Sequence, residues 1–192
     1  DHGYDPTIRA CEESLRRLGL SYLDLYLIHW PVPGARKETW KAMTQLVKDG
    51  KCRAIGVSNY ATRHLEELLA NSDVVPAVNQ VEFHPFLYQR ELLEYCQRHQ
   101  IQLEAYSPLT RGERLNHPTV LDVAKRHGRA PAQVLIRWSL QHSVVAIPKS
   151  VRKERILENS RVCDFVLTTD DMKVLDSLNE DFRTCWDPTG LA

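Results

Sequence analysis

The chain has 192 residues, enough for one domain with a sizeable core. Lysine plus arginine and aspartate plus glutamate balance at 25 each, so no global field draws it to nucleic acid or an anionic membrane, and a small-molecule partner remains. The 5 cysteines are scattered without CxxC spacing, which argues against a disulfide framework or a zinc ribbon, and no apolar run approaches the ~18 residues of a membrane span.

The elements alternate along the chain. Pro6 stands near the start of PTIRACEESLRRLG, where Ile8, Cys11, Leu15 and Leu18 recur at three- and four-residue steps, and Gly19 follows two arginines as a helix stop. LDLYLIHW (residues 23–30) is a strand-length apolar run halted by Pro31. ARKETWKAMTQLVKDG reads as a helix closed by Gly50 behind Lys48, and CRAIGVS (52–58) as the next strand. The helix-like ATRHLEELLANS leads to AVNQVEF (77–83), and QRELLEYCQRHQ leads to QLEAYSP (102–108). Two helical segments, PTVLDVAKRHG and APAQVLIRWSLQHS with Pro131 at its start, precede a fifth run, SVVAIPKS (143–150). Strands alternating with helices imply parallel pairing through right-handed crossovers, hence a doubly wound sheet or a (β/α) barrel.

The placement of polar residues favours the barrel, because chemistry in that fold collects at the C-terminal ends of the strands. Those ends carry His29 and Trp30, Ser58 and Asn59, Glu82 and His84, Tyr106 and Ser107, and Lys149 and Ser150. A GxGxxG turn after the first strand, expected of a doubly wound nucleotide fold, is not in the sequence. Five strands alone do not close an eight-stranded barrel.

The segments DLYLIHWP, IGVSNY, VNQVEFHP, AYSPL and IPKSVRKERILEN resemble, in order, the signature segments of the aldo-keto reductases. These are α/β enzymes with a (β/α)8 TIM barrel that reduce carbonyl compounds with NADPH. The compact loop after AYSPL and the ending RTCWDPTG are more similar to the short-loop bacterial members, the 2,5-diketo-D-gluconate and methylglyoxal reductase types.

The resemblance assigns His29 to the histidine of the family's Asp, Tyr, Lys, His tetrad, a fixed donor to the oxyanion that grows as hydride reaches the carbonyl carbon. Trp30 becomes a wall of the substrate pocket. Ser58, Asn59 and Gln80 match the ligands of the nicotinamide carboxamide, whose donors and acceptors suit hydroxyl and amide groups. Tyr106 would stack on the nicotinamide ring, with Ser107 and Leu109 beside it. Lys149, Ser150 and Arg155 bracket a strand end and the first turn of a helix, where free N–H groups and the helix dipole favour an anion. The resemblance makes that anion the 2′-phosphate of NADPH, with Glu158 and Asn159 near the adenine. A small carbonyl substrate, a cytoplasmic location and a monomeric full-length enzyme are the accompanying expectations, with neither nucleic acid nor membrane as partner.

The family's Asp, Tyr and Lys lie in its first three strands, and none of the three is in this chain. Tyr4 precedes a helix and lies outside the family's tyrosine motif. The expectation is a single domain over 1–192 that lacks three N-terminal βα units, a partial record of a longer enzyme. A short product in its own right would instead be a catalytically incomplete NADPH-binding module or a decayed fragment. A further reading makes His29, Glu82 and His84 ligands of zinc or iron. Against it stand the missing HxH on the first strand and the missing carboxylates at the last.

Overall fold

The computed structural model describes residues 1–191. These form two compact units, one of Asp1–Gln80, Glu91–Gln102 and the C-terminal residues from Asp187, the other of Val81–Arg90 and Leu103–Trp186. The strands β1 (Leu23–Ile28), β2 (Cys52–Ser58), β3 (Val78–Glu82), β4 (Gln102–Tyr106) and β5 (Val145–Ala146) follow one another in a single sheet in chain order. The pairs β1/β2, β2/β3 and β4/β5 are parallel. Helices α1 (Tyr4–Leu18), α2 (Arg36–Lys48), α3 (Thr62–Leu69), α4 (Arg90–Arg98), α5 (Pro118–His127), α6 (Pro131–Gln141), α7 (Lys153–Ser160) and α8 (Thr169–Asp176) alternate with them. Each strand therefore reaches its neighbour through a helix, as parallel pairing demands.

In the first unit α1 and α2 end as the sequence predicts. Gly19 and Gly50 adopt φ of 67° and 69°, a left-handed conformation without penalty for glycine, and the next N–H groups reach back to Leu15 and Leu46. The buried stripe of α1 is Thr7, Cys11 and Leu15. Leu18, predicted to join it, is 61% exposed, because the stripe stops one turn before the helix does. The Cys11 and Cys52 thiols share a hydrogen bond at 3.8 Å and form no disulfide, and burial pushes the Cys52 thiol up to about 12, which keeps it protonated. At Gly56 a Cβ would lie 2.6 Å from the Val78 carbonyl oxygen and 2.7 Å from a Leu27 methyl, so β1, β2 and β3 close on a position that only glycine fits.

The core of the second unit is aromatic. Phe83 stacks on Trp138 with centroids 5.0 Å apart, and the Trp138 indole donates to Asp176 at 2.7 Å, so a fully buried ring still has its polar atom paired. The fifth apolar run yields a strand of only 2 residues: the Ile147 N–H still donates to the Ala105 carbonyl at 3.1 Å, and Pro148, without an N–H, continues no ladder.

Candidate functional site

His29 and Trp30 follow directly on the end of β1, His29 exposed and Trp30 half-buried. Ser58 closes β2 opposite Gln80 of β3. The Ser58 Oγ and the Asn59 N–H both donate to the Gln80 carbonyl, at 2.8 and 2.9 Å. Asn59 has φ 64°, a left-handed value that asparagine tolerates better than most residues. From there its Nδ2 donates to the His29 carbonyl at 3.0 Å and lies 3.1 Å from the Ser58 Oγ. Four predicted site residues of the first unit, His29, Ser58, Asn59 and Gln80, are thus brought together. One network ties three strand ends and sets where the His29 ring starts.

In the second unit β4 ends at Tyr106 and the chain turns sharply. Ser107, Thr110, Arg111 and Gly112 all have positive φ, from 48° to 91°, three of them without the freedom of glycine. The loop satisfies itself, with Thr110 N–H donating to the Ser107 carbonyl at 2.9 Å and Gly112 N–H to the Leu109 carbonyl at 2.7 Å. Such strain is held only where the surroundings over-determine it, and it clusters at functional sites. Burial, reinforced by Cys185 and Glu82, raises the Tyr106 hydroxyl, which leaves it a neutral phenol.

This loop forms one wall of a cavity of about 430 Å³ whose lining includes Ser107, Leu109, Arg111, Ile147, Lys149 and Arg155. Four predicted residues, Ser107, Leu109, Lys149 and Arg155, therefore meet at one cavity. No acidic side chain lines it, and Lys149 and Arg155 are in no ion pair among the described residues. Arg155 stands in the first turn of α7, and the Ser150 Oγ accepts from the Arg152 N–H at 3.2 Å just ahead of it. Two unpaired cations beside a helix N-terminus make a site for an anion, and the volume falls within the ~300–1,000 Å³ of small-molecule pockets. A phosphorylated dinucleotide thus fits the residues present. Glu158 and Asn159 lie farther along α7, exposed and buried respectively. Pro108, Arg111, Gly112, Leu115, Ile147 and Pro148 line the cavity without being among the predicted site residues; Pro108 and Gly112 signal a turn in the sequence, but no local signal marks the others as lining.

Glu82 and His84 are committed to the protein itself. Glu82 is 1% exposed, and its carboxylate accepts from His84 Nε2, the Thr184 N–H and hydroxyl, and the Cys185 N–H, at 2.5 to 3.1 Å. Burial resists its ionisation, but these donors outweigh burial and hold the carboxyl at about 2. Among the described residues no three His, Cys, Asp or Glu side chains are grouped to hold a metal ion. No helix of the described residues is long and apolar enough to cross a membrane.

Comparison with known proteins gives one family. Residues 3–117 and 113–180 match the model of the Aldo/keto reductase family. The chain is similar to an uncharacterised oxidoreductase of Bacillus subtilis, YtbE, at 52% identity over 188 residues, which covers 98% of this chain and 67% of the relative. It is equally similar to the glyoxal reductase of Bacillus subtilis, 52% identical over 191 residues and covering 100% of this chain and 69% of that enzyme. A crystal structure of a mutant of Gox0644 in complex with NADPH superposes with a TM-score of 0.93 at 47% identity, covering 97% of this chain and 70% of that one.

Proposed function

Given that this chain belongs to the aldo/keto reductase family, whose (β/α)8 barrel it carries in part, we propose that it reduces a small aldehyde or ketone with NADPH. The observation that carries the cofactor is the cavity of about 430 Å³ where Lys149 and Arg155 stand unpaired at the start of α7. There the two cations would hold the 2′-phosphate, a pairing that Arg makes well because its planar fork matches phosphate oxygens. The nicotinamide supplies hydride to the carbonyl carbon. Ser58, Asn59 and Gln80 are assigned to its carboxamide and Tyr106 to its ring face, while Ser107, Leu109 and Ser150 line the path of the dinucleotide and Glu158 and Asn159 sit by the adenine. The NADPH complex of the Gox0644 mutant favours NADPH as cofactor, and the name of the Bacillus subtilis glyoxal reductase favours a small dicarbonyl as substrate.

His29 acts on the oxygen. Asn59 fixes its main chain at the end of β1, and the exposed ring is free to donate toward the charge that grows as hydride arrives. Trp30 beside it excludes water from one side of the carbonyl. The reading includes one functional domain, a monomer, in the reducing cytoplasm that suits the 5 free cysteines.

The test is cofactor binding by fluorescence titration in Arg155→Ala. Loss of one charge-assisted contact weakens NADPH by about tenfold or more and leaves NADH as it was. Equal losses for the two cofactors would remove the phosphate role of Arg155.

A further inference from the structure

A second cavity, of about 260 Å³, opens in the first unit between α2 and α3. Its apolar lining is Trp40 and Leu68, which are 4% and 8% exposed. Tyr60 also lines it, at 1% exposure, and the Tyr60 hydroxyl has no hydrogen-bond partner among the described residues. A buried hydroxyl without a partner is costly to a fold unless something else receives it. Burial raises the Tyr60 hydroxyl, so it stays protonated and able to donate.

The charges around this hydroxyl favour a negative visitor. Arg36 donates to Glu67 through Nε at 2.9 Å and Nη2 at 2.6 Å, so these two cancel. Lys37 and Lys41 then outnumber Glu38 on the remaining lining, and neither lysine is in an ion pair among the described residues. Helix α2 begins at Arg36 with no side chain capping it, and its dipole adds to the positive side.

We propose that the cavity between α2 and α3 binds a small monocarboxylate with an aromatic or branched apolar body. Its carboxylate accepts from the Tyr60 hydroxyl and faces Lys37 and Lys41, and its apolar body lies on Trp40 and Leu68. The volume is just below the ~300–1,000 Å³ of ordinary ligand pockets, which suits a single ring. None of these residues belongs to the proposed dinucleotide site, so the two readings stand or fall separately.

Phenylacetate is the probe, read through the indole N–H resonance of Trp40, which donates to Ser72 Oγ at 3.1 Å in the lining and is assigned by its loss in Trp40→Phe. Saturable movement of that resonance is expected, with much weaker binding of neutral phenylacetamide. Tyr60→Phe removes only an unpartnered oxygen and should weaken phenylacetate about tenfold or more. Lys41→Gln, at an exposed position, should weaken it several-fold and serves if Tyr60→Phe misfolds. A stationary Trp40 resonance up to the solubility of phenylacetate, or unchanged affinity in these variants, overturns the proposal.

Discussion

Replacing Glu82 with glutamine keeps the shape of a buried side chain and removes its charge. In the native chain Oε1 accepts from the Thr184 N–H at 2.8 Å, the Thr184 hydroxyl at 2.5 Å and His84 Nε2 at 3.1 Å, while Oε2 accepts from the Cys185 N–H at 3.1 Å. A glutamine has one accepting oxygen, so its NH₂ must face at least one donor, which loses a bond and strands a buried N–H for ~1–3 kcal/mol. Titration leads to a similar figure. The drop from 4.5 to about 2 is worth at most ~3.5 kcal/mol at ~1.4 kcal/mol per pH unit. Because the folded value is the lower one, this stabilisation is complete above 4.5 and is lost as pH falls toward 2. Urea unfolding of both proteins between neutral pH and pH ~3 should show the native chain ahead by ~2–3 kcal/mol at neutrality, with the gap narrowing below the ordinary carboxyl range. A gap that does not change with pH, or no gap at neutrality, refutes the argument. The substitution should also reach the proposed cofactor site. Glu82 anchors Thr184 and Cys185, and the Cys185 sulfur lies 3.7 Å from Ser107 Oγ and 2.9 Å from Arg111 Nη2, two lining residues of the larger cavity. NADPH affinity in Glu82→Gln should therefore fall several-fold.

Gly56→Ala places a methyl 2.6 Å from the Val78 carbonyl oxygen, and since backbone must yield it should cost ~1–3 kcal/mol, seen as a lower urea midpoint at unchanged slope. A midpoint equal to that of the native chain would mean that β2 and β3 part freely there. If His29 holds the proposed role, His29→Ala should lower kcat for reduction of a small aldehyde by about 10²–10³-fold through the lost oxyanion donor. NADPH affinity should stay as it was; a loss confined to cofactor binding would remove His29 from the chemistry.

The sequence shows some parts of this arrangement more plainly than others, for physical reasons. Strand ends are visible because a half-buried or buried strand needs an apolar run and a proline or polar residue stops it, so LDLYLIHW already places His29 just past Ile28. Helix ends at Gly19 and Gly50 are visible because glycine alone takes their left-handed conformation without cost. The loop at 107–112 is not visible in this way. Ser107, Thr110 and Arg111 adopt positive φ against their own preferences, and only the surrounding packing imposes it. Long-range partners are equally hidden, as with Glu82 and Thr184, which lie 102 residues apart in the chain.

This difference bears on how the site works. The residues with local signals, His29, Ser58 and Asn59, are set by the register of parallel strands and by main-chain hydrogen bonds, and so are placed rigidly. The lining of the larger cavity depends instead on a strained loop, a strand of 2 residues and a segment held through Glu82. Each of these has few ladder bonds of its own. Local opening is cheapest where backbone pairing is sparse, and a cofactor that must enter and leave requires such an opening. Hydrogen exchange should then be faster at residues 107–112 and 147–152 than across β1 and β2, and NADPH should slow it most at the first two segments. Uniform protection before and after NADPH would place the cofactor elsewhere.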